Sequence, residues 1–162
     1  MIVLRGNSGS GKSCVARAIQ EKIAPHPVLI EHDQFRRKIL KEHEGPDIIN
    51  DQLILQTVQF ALAHNRDVII EGIMRVEYYK KLFDEIIDIH PNENYFYYFD
   101  IPFEETLRRH STKNNIDFGE EEMKQWFKEN DILGYPCETI INANNSLDDS
   151  VKQIISETKL GC

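Results

Sequence analysis

No apolar run in this 162-residue sequence approaches the ~20 residues that a membrane-spanning helix needs, and none has the flanks of a secretory signal. Cysteine is scarce as well, because Cys14, Cys137 and Cys162 are odd in number, far apart and without C-x-x-C spacing. They predict reduced thiols rather than a disulfide framework or a zinc site. Together these absences favour a cytoplasmic protein that has no membrane partner.

Positive charge is in short supply, with 19 Lys and Arg residues against 27 Asp and Glu residues and a net charge of −8. Because long polyanions are held by an excess of basic residues, this balance argues against general nucleic-acid binding. A single phosphate-bearing ligand needs only a local basic cluster. The chain contains no repeat, low-complexity tract or linker, so we expect a single domain over residues 1–162.

One stretch matches the pattern G-x-x-x-x-G-K-[ST] of the phosphate-binding P-loop: Gly6, Asn7, Ser8, Gly9, Ser10, Gly11, Lys12 and Ser13. An apolar run over 1–4 precedes it and a helical pattern over 13–23 follows it, as the motif requires. Glycines allow successive amide groups to point at phosphate oxygens, and the helix adds its positive N-terminal dipole. We predict that these residues and Cys14 bind ATP, that Lys12 reaches the β- and γ-phosphates, and that Ser13 ligates Mg²⁺.

A second predicted strand, over 28–31, is followed directly by His32 and Asp33. The carboxyl edge of a parallel sheet is where ligands bind in open α/β folds. The sequence leaves three roles open for Asp33: the N-cap of a helix over 34–43, a ligand of Mg²⁺, or a general base that accepts a proton from an attacking hydroxyl. Arg36, one turn later on the same side, can grip an anionic group of a substrate with its planar fork.

A third predicted strand, over 68–71, ends in Glu71 and is followed by Gly72. Large apolar residues with a terminal acid are typical of a Walker B strand, whose acid ligates Mg²⁺ directly or through water. Because Glu replaces the more usual Asp, we expect the water-mediated contact. Arg75 follows at Glu-Gly-x-x-Arg spacing and is either a surface residue at a helix start or a clamp on the substrate.

A helix that begins near residue 101 carries Arg108 and Arg109, and a polar stretch at 114–117 and a charged helix over 120–130 follow. Ion pairs between acids and bases along the first helix are the plainer interpretation of its charges. A helix, a polar joint and a second helix are also typical of a lid that folds over bound ATP. We expect a lid over about residues 108–131 that carries one or both arginines to the transferred phosphoryl group.

The remaining elements are predicted from apolar periodicity: helices over 47–65, with Asp47 as cap, over 76–89 and over 150–158, and strands over 95–99 and 138–142. The first strand and the aromatic strand over 95–99 have no alternation, so both faces of the sheet are expected to be covered. The order of elements predicts an α/β fold, namely a three-layer αβα P-loop NTPase with a five-stranded parallel sheet and a short helical lid.

These motifs resemble those of the small P-loop kinases of the adenylate-kinase-like superfamily, and the resemblance runs nearly end to end. Glu-Gly-Ile-Met-Arg at 71–75 is similar to the Asp-Gly-x-x-Arg motif of nucleoside monophosphate kinases, and Asp-Gln-Phe-Arg at 33–36 is similar to the Asp-x-x-Arg motif of polynucleotide kinases. Chloramphenicol phosphotransferase and zeta-toxin-type kinases also place an Asp after the second strand. Uncharacterised bacterial AAA-family ATPase/kinase proteins have a similar size. The resemblance implies that Asp33 acts as the base and that Arg36 positions the acceptor.

We therefore expect a phosphotransferase that moves the γ-phosphoryl group of ATP, with Mg²⁺, to a hydroxyl of a small-molecule acceptor. Lys12, Asp33, Arg108 and Arg109 are the predicted catalytic residues. The chain has Lys113 where the lid of nucleoside monophosphate kinases has a later arginine, which argues against such an acceptor. Two alternatives stay open: a polynucleotide 5′-hydroxyl kinase, and a nucleotide-binding switch or ATPase without an acceptor.

Overall fold

The computed structural model of the chain describes residues 1–45, 48–112 and 118–158. These residues form five strands and seven helices, one of which is a π-helix. In chain order the elements are β1 (Ile2–Gly6), α1 (Lys12–Lys22), β2 (Val28–Glu31), the π-helix (Gln34–Leu40), α2 (Asn50–Ala63), β3 (Val68–Gly72), α3 (Val76–Ile89), β4 (Tyr95–Asp100), α4 (Phe103–His110), α5 (Glu120–Trp126), β5 (Glu138–Asn142) and α6 (Leu147–Thr158).

The five strands form one parallel sheet in the order β2-β3-β1-β4-β5. β1 is the central strand, with Ile2 opposite Ile69 of β3 on one side and Gly6 opposite Phe99 of β4 on the other. The P-loop therefore leaves the sheet between the carboxyl ends of two neighbouring strands. This position is a topological switch point, because the chain moves to one side of β1 for β3 and to the other for β4.

Helices cover both faces of the sheet, because alternate side chains of the apolar strands point in opposite directions. On one face, Val3 of β1 packs in a core cluster with Ile54 and Val58 of α2 and with Leu82, Phe83 and Ile86 of α3. On the other face, Ile2 and Leu4 pack with Val15, Ala16 and Ile19 of α1 and with Val151 and Ile154 of α6. The predicted three-layer α/β fold with a five-stranded parallel sheet is confirmed.

The segment after β2 differs from the predicted α-helix over 34–43, because it is a π-helix that ends at Leu40. Its last turn is closed by the N–H of Lys41, which donates to the carbonyl of Arg36 and has a φ of 57°. Arg36 is only 6% exposed although three of its neighbours in the sequence, 37–39, are exposed. Burial of this side chain against the rest of the fold is a tertiary effect that helix propensity does not report.

Three other helix boundaries differ from the predictions by three residues or more. The charged helix ends at Trp126 rather than at 130, because Phe127 is extended with a ψ of 130°. The last helix begins at Leu147, three residues before the predicted start. α2 begins at Asn50, and the predicted cap Asp47 and the polar stretch 114–117 lie outside the described residues, as does Lys113.

Candidate functional site

The loop between β1 and α1 has the backbone geometry that its glycines allow. Gly6, Gly9 and Gly11 have φ angles of 141°, 78° and 100°. A Cβ at Gly6 would lie 2.7 Å from the carbonyl oxygen of Phe99, and one at Gly9 would collide with the carbonyl oxygen of Thr106. No other residue type meets both the dihedral angles and the close approach. The glycine pattern of the motif is thus required by the fold itself.

α1 begins at Lys12 without an acid in its first turn and without a capping side chain. Its first amide groups therefore have the dipole and the donors that bind an anion. The Lys12 side chain is buried and its Nζ lies 2.9 Å from the carbonyl oxygen of Asn7 and 3.4 Å from the Ser10 hydroxyl. The ammonium group is held over the loop, where a phosphate chain in the loop would meet it.

A cavity of about 670 Å³ opens beside this loop. The predicted nucleotide-binding residues Gly9, Ser10, Gly11, Lys12, Ser13 and Cys14 line one side of it, and residues 141–142 and 145–147, at the carboxyl end of β5 and the start of α6, line the other. Arg109 closes a third side, with Nη1 donating to the carbonyl of Ser10 at 3.0 Å and Nη2 to that of Ala143 at 3.4 Å. The cavity is large enough for a nucleotide.

The structure separates the two adjacent arginines at the end of α4. Arg109 reaches the P-loop, whereas the Arg108 side chain is 69% exposed and makes two hydrogen bonds to Glu105, of 2.6 Å and 2.8 Å. Both arginines hold the pKa of the Glu105 carboxyl near 2, below its ordinary value. The helix phase puts only one of them at the cavity, so only Arg109 lies where a bound nucleotide could meet it.

Glu71 is the penultimate residue of β3 and lies beside the start of α1. Burial raises the pKa of its carboxyl, while the nearby charge of Lys12 and a hydrogen bond from the Ser13 hydroxyl lower it. The two predicted Mg²⁺ ligands, Ser13 and Glu71, are therefore neighbours. Over the described ranges, no group of three His, Cys, Asp or Glu side chains could by itself hold a metal ion. A P-loop magnesium site is not of that kind, because phosphates and water supply most of its ligands.

Asp33 lies at the carboxyl end of β2, with its side chain 48% exposed. Its Oδ1 accepts a hydrogen bond from Arg36 Nη2 at 3.1 Å and lies 3.7 Å from Arg37 and 3.6 Å from Nδ1 of His32. Partial burial by itself raises the pKa of the Asp33 carboxyl, but the proximity of His32, Arg37 and Arg36 outweighs it and holds that pKa below its ordinary range. The carboxylate is ionised at neutral pH.

The helix-cap role of Asp33 is not realised in the structure. The side chain makes no capping hydrogen bond, because the backbone at Asp33 is already helical, with φ of −65° and ψ of −28°. An N-cap side chain accepts from the next turn only when its own backbone is extended. The Mg²⁺-ligand and general-base interpretations are untouched by this observation.

Arg75 directly precedes α3 and is half-buried. Its Nη2 donates to the carbonyl of Trp126 at 3.2 Å, and its Nη1 lies 3.6 Å from Glu77. Arg75 therefore connects the end of β3 to the end of α5. Its use as a clamp on a substrate stays a prediction.

The sequence analysis missed a buried ionic network beneath the site. Arg5 is fully buried in β1 and donates to Asp131 at 2.8 Å, to Glu138 at 3.3 Å and to the carbonyl of Met74 at 2.9 Å. Burial lowers the pKa of its guanidinium, and the charges of both acids oppose that shift. The available signal was a single arginine within an otherwise apolar strand, directly before the P-loop.

Asn7 was predicted only as a position in the motif, yet its side chain ties the P-loop to the chain after α5. Its Nδ2 donates to the carbonyl of Lys128 at 2.9 Å, and its Oδ1 accepts from the N–H of Lys128 at 3.0 Å. Asp131, three residues on, is held by Arg5 and accepts from the N–H of Val76 at 3.1 Å. The exit of α5 is therefore fixed to the P-loop and to the sheet.

None of the helices within the described ranges is long and apolar enough to cross a membrane.

The AAA domain family matches residues 1–129 of the chain. A comparison with curated proteins finds no match. Among solved structures, the chain is similar to an unliganded sugar kinase from Janibacter sp. HTCC2649, at 13% identity and a TM-score of 0.68 over 98% of this chain and 94% of that one. It is also similar to a gluconokinase from Sinorhizobium meliloti 1021, at 19% identity and a TM-score of 0.66 over 98% of this chain and 90% of that one.

A third similar structure is the Mycobacterium tuberculosis APS kinase in complex with AMPPNP and APS, at 16% identity and a TM-score of 0.69 over 96% of this chain and 95% of that one. At such identities the similarity shows the fold alone. The fold is that of small P-loop kinases, so the resemblance inferred from the motifs is confirmed.

Proposed function

The chain belongs to the AAA domain family, and from that premise we propose that it is an ATP-dependent phosphotransferase whose acceptor is a hydroxyl group of a small molecule. One observation carries the proposal. The P-loop cavity and the Asp33–Arg36 pair lie at the same carboxyl edge of the sheet, with Glu71 between them in the order β2-β3-β1. Phosphoryl transfer needs a nucleotide and an acceptor held in line, and this edge offers a place for each.

The nucleotide would occupy the 670 Å³ cavity, with its phosphates in the turn from Gly6 to Ser13. Lys12 and the amide groups of the first turn of α1 would stabilise negative charge as it develops on the transferred group. Arg109 would contribute from the third side of the cavity, where it bonds the carbonyl of Ser10. Arg108 would enter only if α4 turned, since its side chain now faces solvent.

Mg²⁺ would be held by the Ser13 hydroxyl and by Glu71, directly or through water. The pair fits a hard cation, because a buried carboxyl with a raised pKa lies beside a hydroxyl and would be ionised by the metal charge. The ion supplies neutralisation of charge on the β- and γ-phosphates. Asp33 could support it from β2.

Asp33 would accept the proton of the acceptor hydroxyl as the new O–P bond forms and the bond to the ADP oxygen breaks. Its low pKa makes it ionised and able to accept a hydrogen bond from the hydroxyl, with proton transfer late along the reaction. Arg36 holds the carboxylate from behind and would orient the acceptor. Arg75 would act beside it, and the segment over about 108–131 would be the lid of a single 162-residue domain.

Two variants test the proposal in a screen that measures ADP formation with sugars, sugar acids, nucleosides, antibiotics and 5′-hydroxyl oligonucleotides. Lys12→Ala should abolish detectable ATP turnover. Asp33→Asn should keep ATP binding, measured by calorimetry, and lose transfer to the acceptor. Normal transfer by Asp33→Asn would remove the base assignment, and ATP hydrolysis that no acceptor stimulates would favour a switch or ATPase instead.

A further inference from the structure

A second cavity, of about 530 Å³, lies between the π-helix and the helix α5. It shares no lining residue with the P-loop cavity. One wall comes from the chain after β2 and the other from the segment around α5: Arg36, Arg37, Lys41, Glu42 and His43, and Phe118, Glu122 and Trp126. Of the residues that line this cavity, only Arg36 has a role in the proposed phosphoryl transfer.

Arg36 connects this cavity to the predicted base. One end of its guanidinium, Nη2, donates to Asp33, and the residue is only 6% exposed. Its Nε is buried without a hydrogen-bond partner, and Nη1 has only a long bond of 3.4 Å to the carbonyl of Glu42. A buried guanidinium with unused donors is costly unless an incoming group accepts from it. Arg36 lines the cavity, where an oxygen-rich ligand would meet a fixed cation.

Two further cations line the cavity. Arg37 lies over the Trp126 ring, 5.6 Å from its centre, with its side chain 43% exposed. Lys41 follows the last turn of the π-helix in a left-handed conformation. Trp126 packs edge-on against Phe118, with ring centres 4.9 Å apart, so the opposite wall is aromatic. The cavity therefore combines positive charge with an apolar surface.

The acids in the cavity wall are partly engaged by the backbone. Glu122 accepts a hydrogen bond from the N–H of Gly119 at 2.9 Å, and Glu42 accepts one from the N–H of Ile49 at 3.1 Å. Three cations thus face two carboxylates that already have backbone donors. Asp33 pairs with Arg36 and lies 3.7 Å from Arg37, so Lys41 is the lining cation that has no ion pair with Asp33.

We propose that this cavity binds a negatively charged group of the acceptor, a carboxylate or a phosphate, so that the acceptor is a hydroxylated acid or a phosphorylated alcohol. Arg37 and Lys41 attract the anion, Trp126 packs against the carbon skeleton, and Arg36 spans the distance to Asp33, where the acceptor hydroxyl lies. The inference rests on the proposed phosphotransferase function, because it assigns the class of acceptor for that same reaction.

Trp126 is the single tryptophan of the chain, so all tryptophan emission comes from the wall of this cavity, and the titrations are done without ATP. The probes are two matched sets: glycerol, glycerate and glycerol 3-phosphate, and glucose, gluconate and glucose 6-phosphate. We expect a saturable change in emission with the anionic members and none with the neutral polyols. The carboxylate and phosphate members distinguish the two sources of charge.

Arg37→Gln and Lys41→Gln should each weaken anion binding about tenfold, because each removes one charge that faces the cavity. Lys38→Gln is the matched control, since Lys38 is exposed on the same π-helix and does not line the cavity. If Lys38→Gln weakens binding as much as Arg37→Gln, the effect is general charge and the inference is overturned. Equal responses to neutral and anionic probes, or no response to any anion, overturn it as well.

Calorimetry with ATP and ADP formation in the same preparations keep the two proposals separate. ATP binding and transfer to a neutral acceptor, without anion binding at Trp126, would refute the acceptor class and leave the phosphotransferase in place. Absence of ATP binding would refute the phosphotransferase, and with it the acceptor role of this cavity.

Discussion

The carboxyl edge of the sheet has two ends, the P-loop end proposed for the nucleotide and the π-helix end proposed for the acceptor. They consist of different chemical groups. At the nucleotide end, the P-loop consists of backbone groups and glycines, and it is braced by Asn7 and Lys128 and by the buried charges below. At the acceptor end, the π-helix presents charged side chains, among them a buried guanidinium with an unused donor. Under the proposed function, the phosphate chain would be bound by fixed amides, whereas the acceptor would be bound by charged side chains whose burial costs stability until the ligand arrives.

The largest expected effect comes from removing Arg5, the cation of the buried ionic network beneath the P-loop. Arg5→Met should lower the free energy of unfolding by about 3–5 kcal/mol, because it leaves the buried carboxylates of Asp131 and Glu138 without their cation. Urea denaturation measures the change. Asp131→Asn, which keeps a hydrogen-bonding side chain, should lose less.

Arg17→Met is the matched control for that variant. Arg17 forms an ion pair with Glu31, but its side chain is 60% exposed. The cost should stay below about 1 kcal/mol, since exposed ion pairs contribute little. Equal losses for Arg5→Met and Arg17→Met would mean that the buried network does not brace the nucleotide end.

A second prediction separates the adjacent arginines of α4. Arg109→Gln should weaken binding of a non-hydrolysable ATP analogue about tenfold, which is about 1.4 kcal/mol, because it removes a charged group that lines the nucleotide cavity. Arg108→Gln should change that affinity by less than about twofold, since an exposed pair with Glu105 holds it away from the cavity. Calorimetry provides both dissociation constants. A larger loss for Arg108→Gln would show that α4 turns when the nucleotide binds.

The smallest expected effect is a change in how the free energy of unfolding depends on pH, and it concerns the carboxyl of Asp51. Asp51, in the first turn of α2, faces a neighbourhood that contains His32, Glu42 and Glu85, and burial raises the pKa of its carboxyl to about 6. A raised carboxyl pKa means that the protonated form stabilises the fold below the unfolded pKa. That stabilisation is lost as the pH rises through about 6.

Asp51→Asn should therefore match the wild type near pH 4 and exceed it in the free energy of unfolding by about 1 kcal/mol near pH 8. Thermal or urea unfolding at both pH values measures the difference. Asp88→Asn, at an exposed position of α3, is the matched control for the loss of one carboxylate. A gain for Asp51→Asn that is constant with pH would contradict the assigned titration.

Most elements of the fold could be predicted from the chain, because their signals are local. The strand Val28–Glu31, the helix Val76–Ile89 and the strand Glu138–Asn142 have the predicted bounds. The P-loop follows from glycine spacing, since the dihedral angles it needs are available to few other residues. Glu71, Ser13 and Asp33 were expected at one edge because strands of a parallel sheet end there together.

Other features could not be predicted, because they depend on contacts between residues that are far apart in the sequence. The helix after β2 is a π-helix that buries Arg36, although its sequence reads as an ordinary helix. α5 stops at Trp126, whose carbonyl accepts from Arg75, and Asn7 bonds Lys128 two residues later. Within the predicted helix over 47–65, Ile49 is 52% exposed and Ile54 is fully buried, and apolar periodicity does not distinguish the two.

By itself the sequence determined the P-loop, the parallel α/β order and the acids at the strand ends, since spacing along the chain encodes backbone dihedral angles and the alternation of faces. Tertiary structure alone decided that Arg109 rather than Arg108 meets the nucleotide cavity, that Arg5 is buried in an ionic network, and that Arg37 lies over Trp126. Those facts depend on distances between residues far apart in the chain. Local propensity carries no information about such distances until the sheet has brought the segments together.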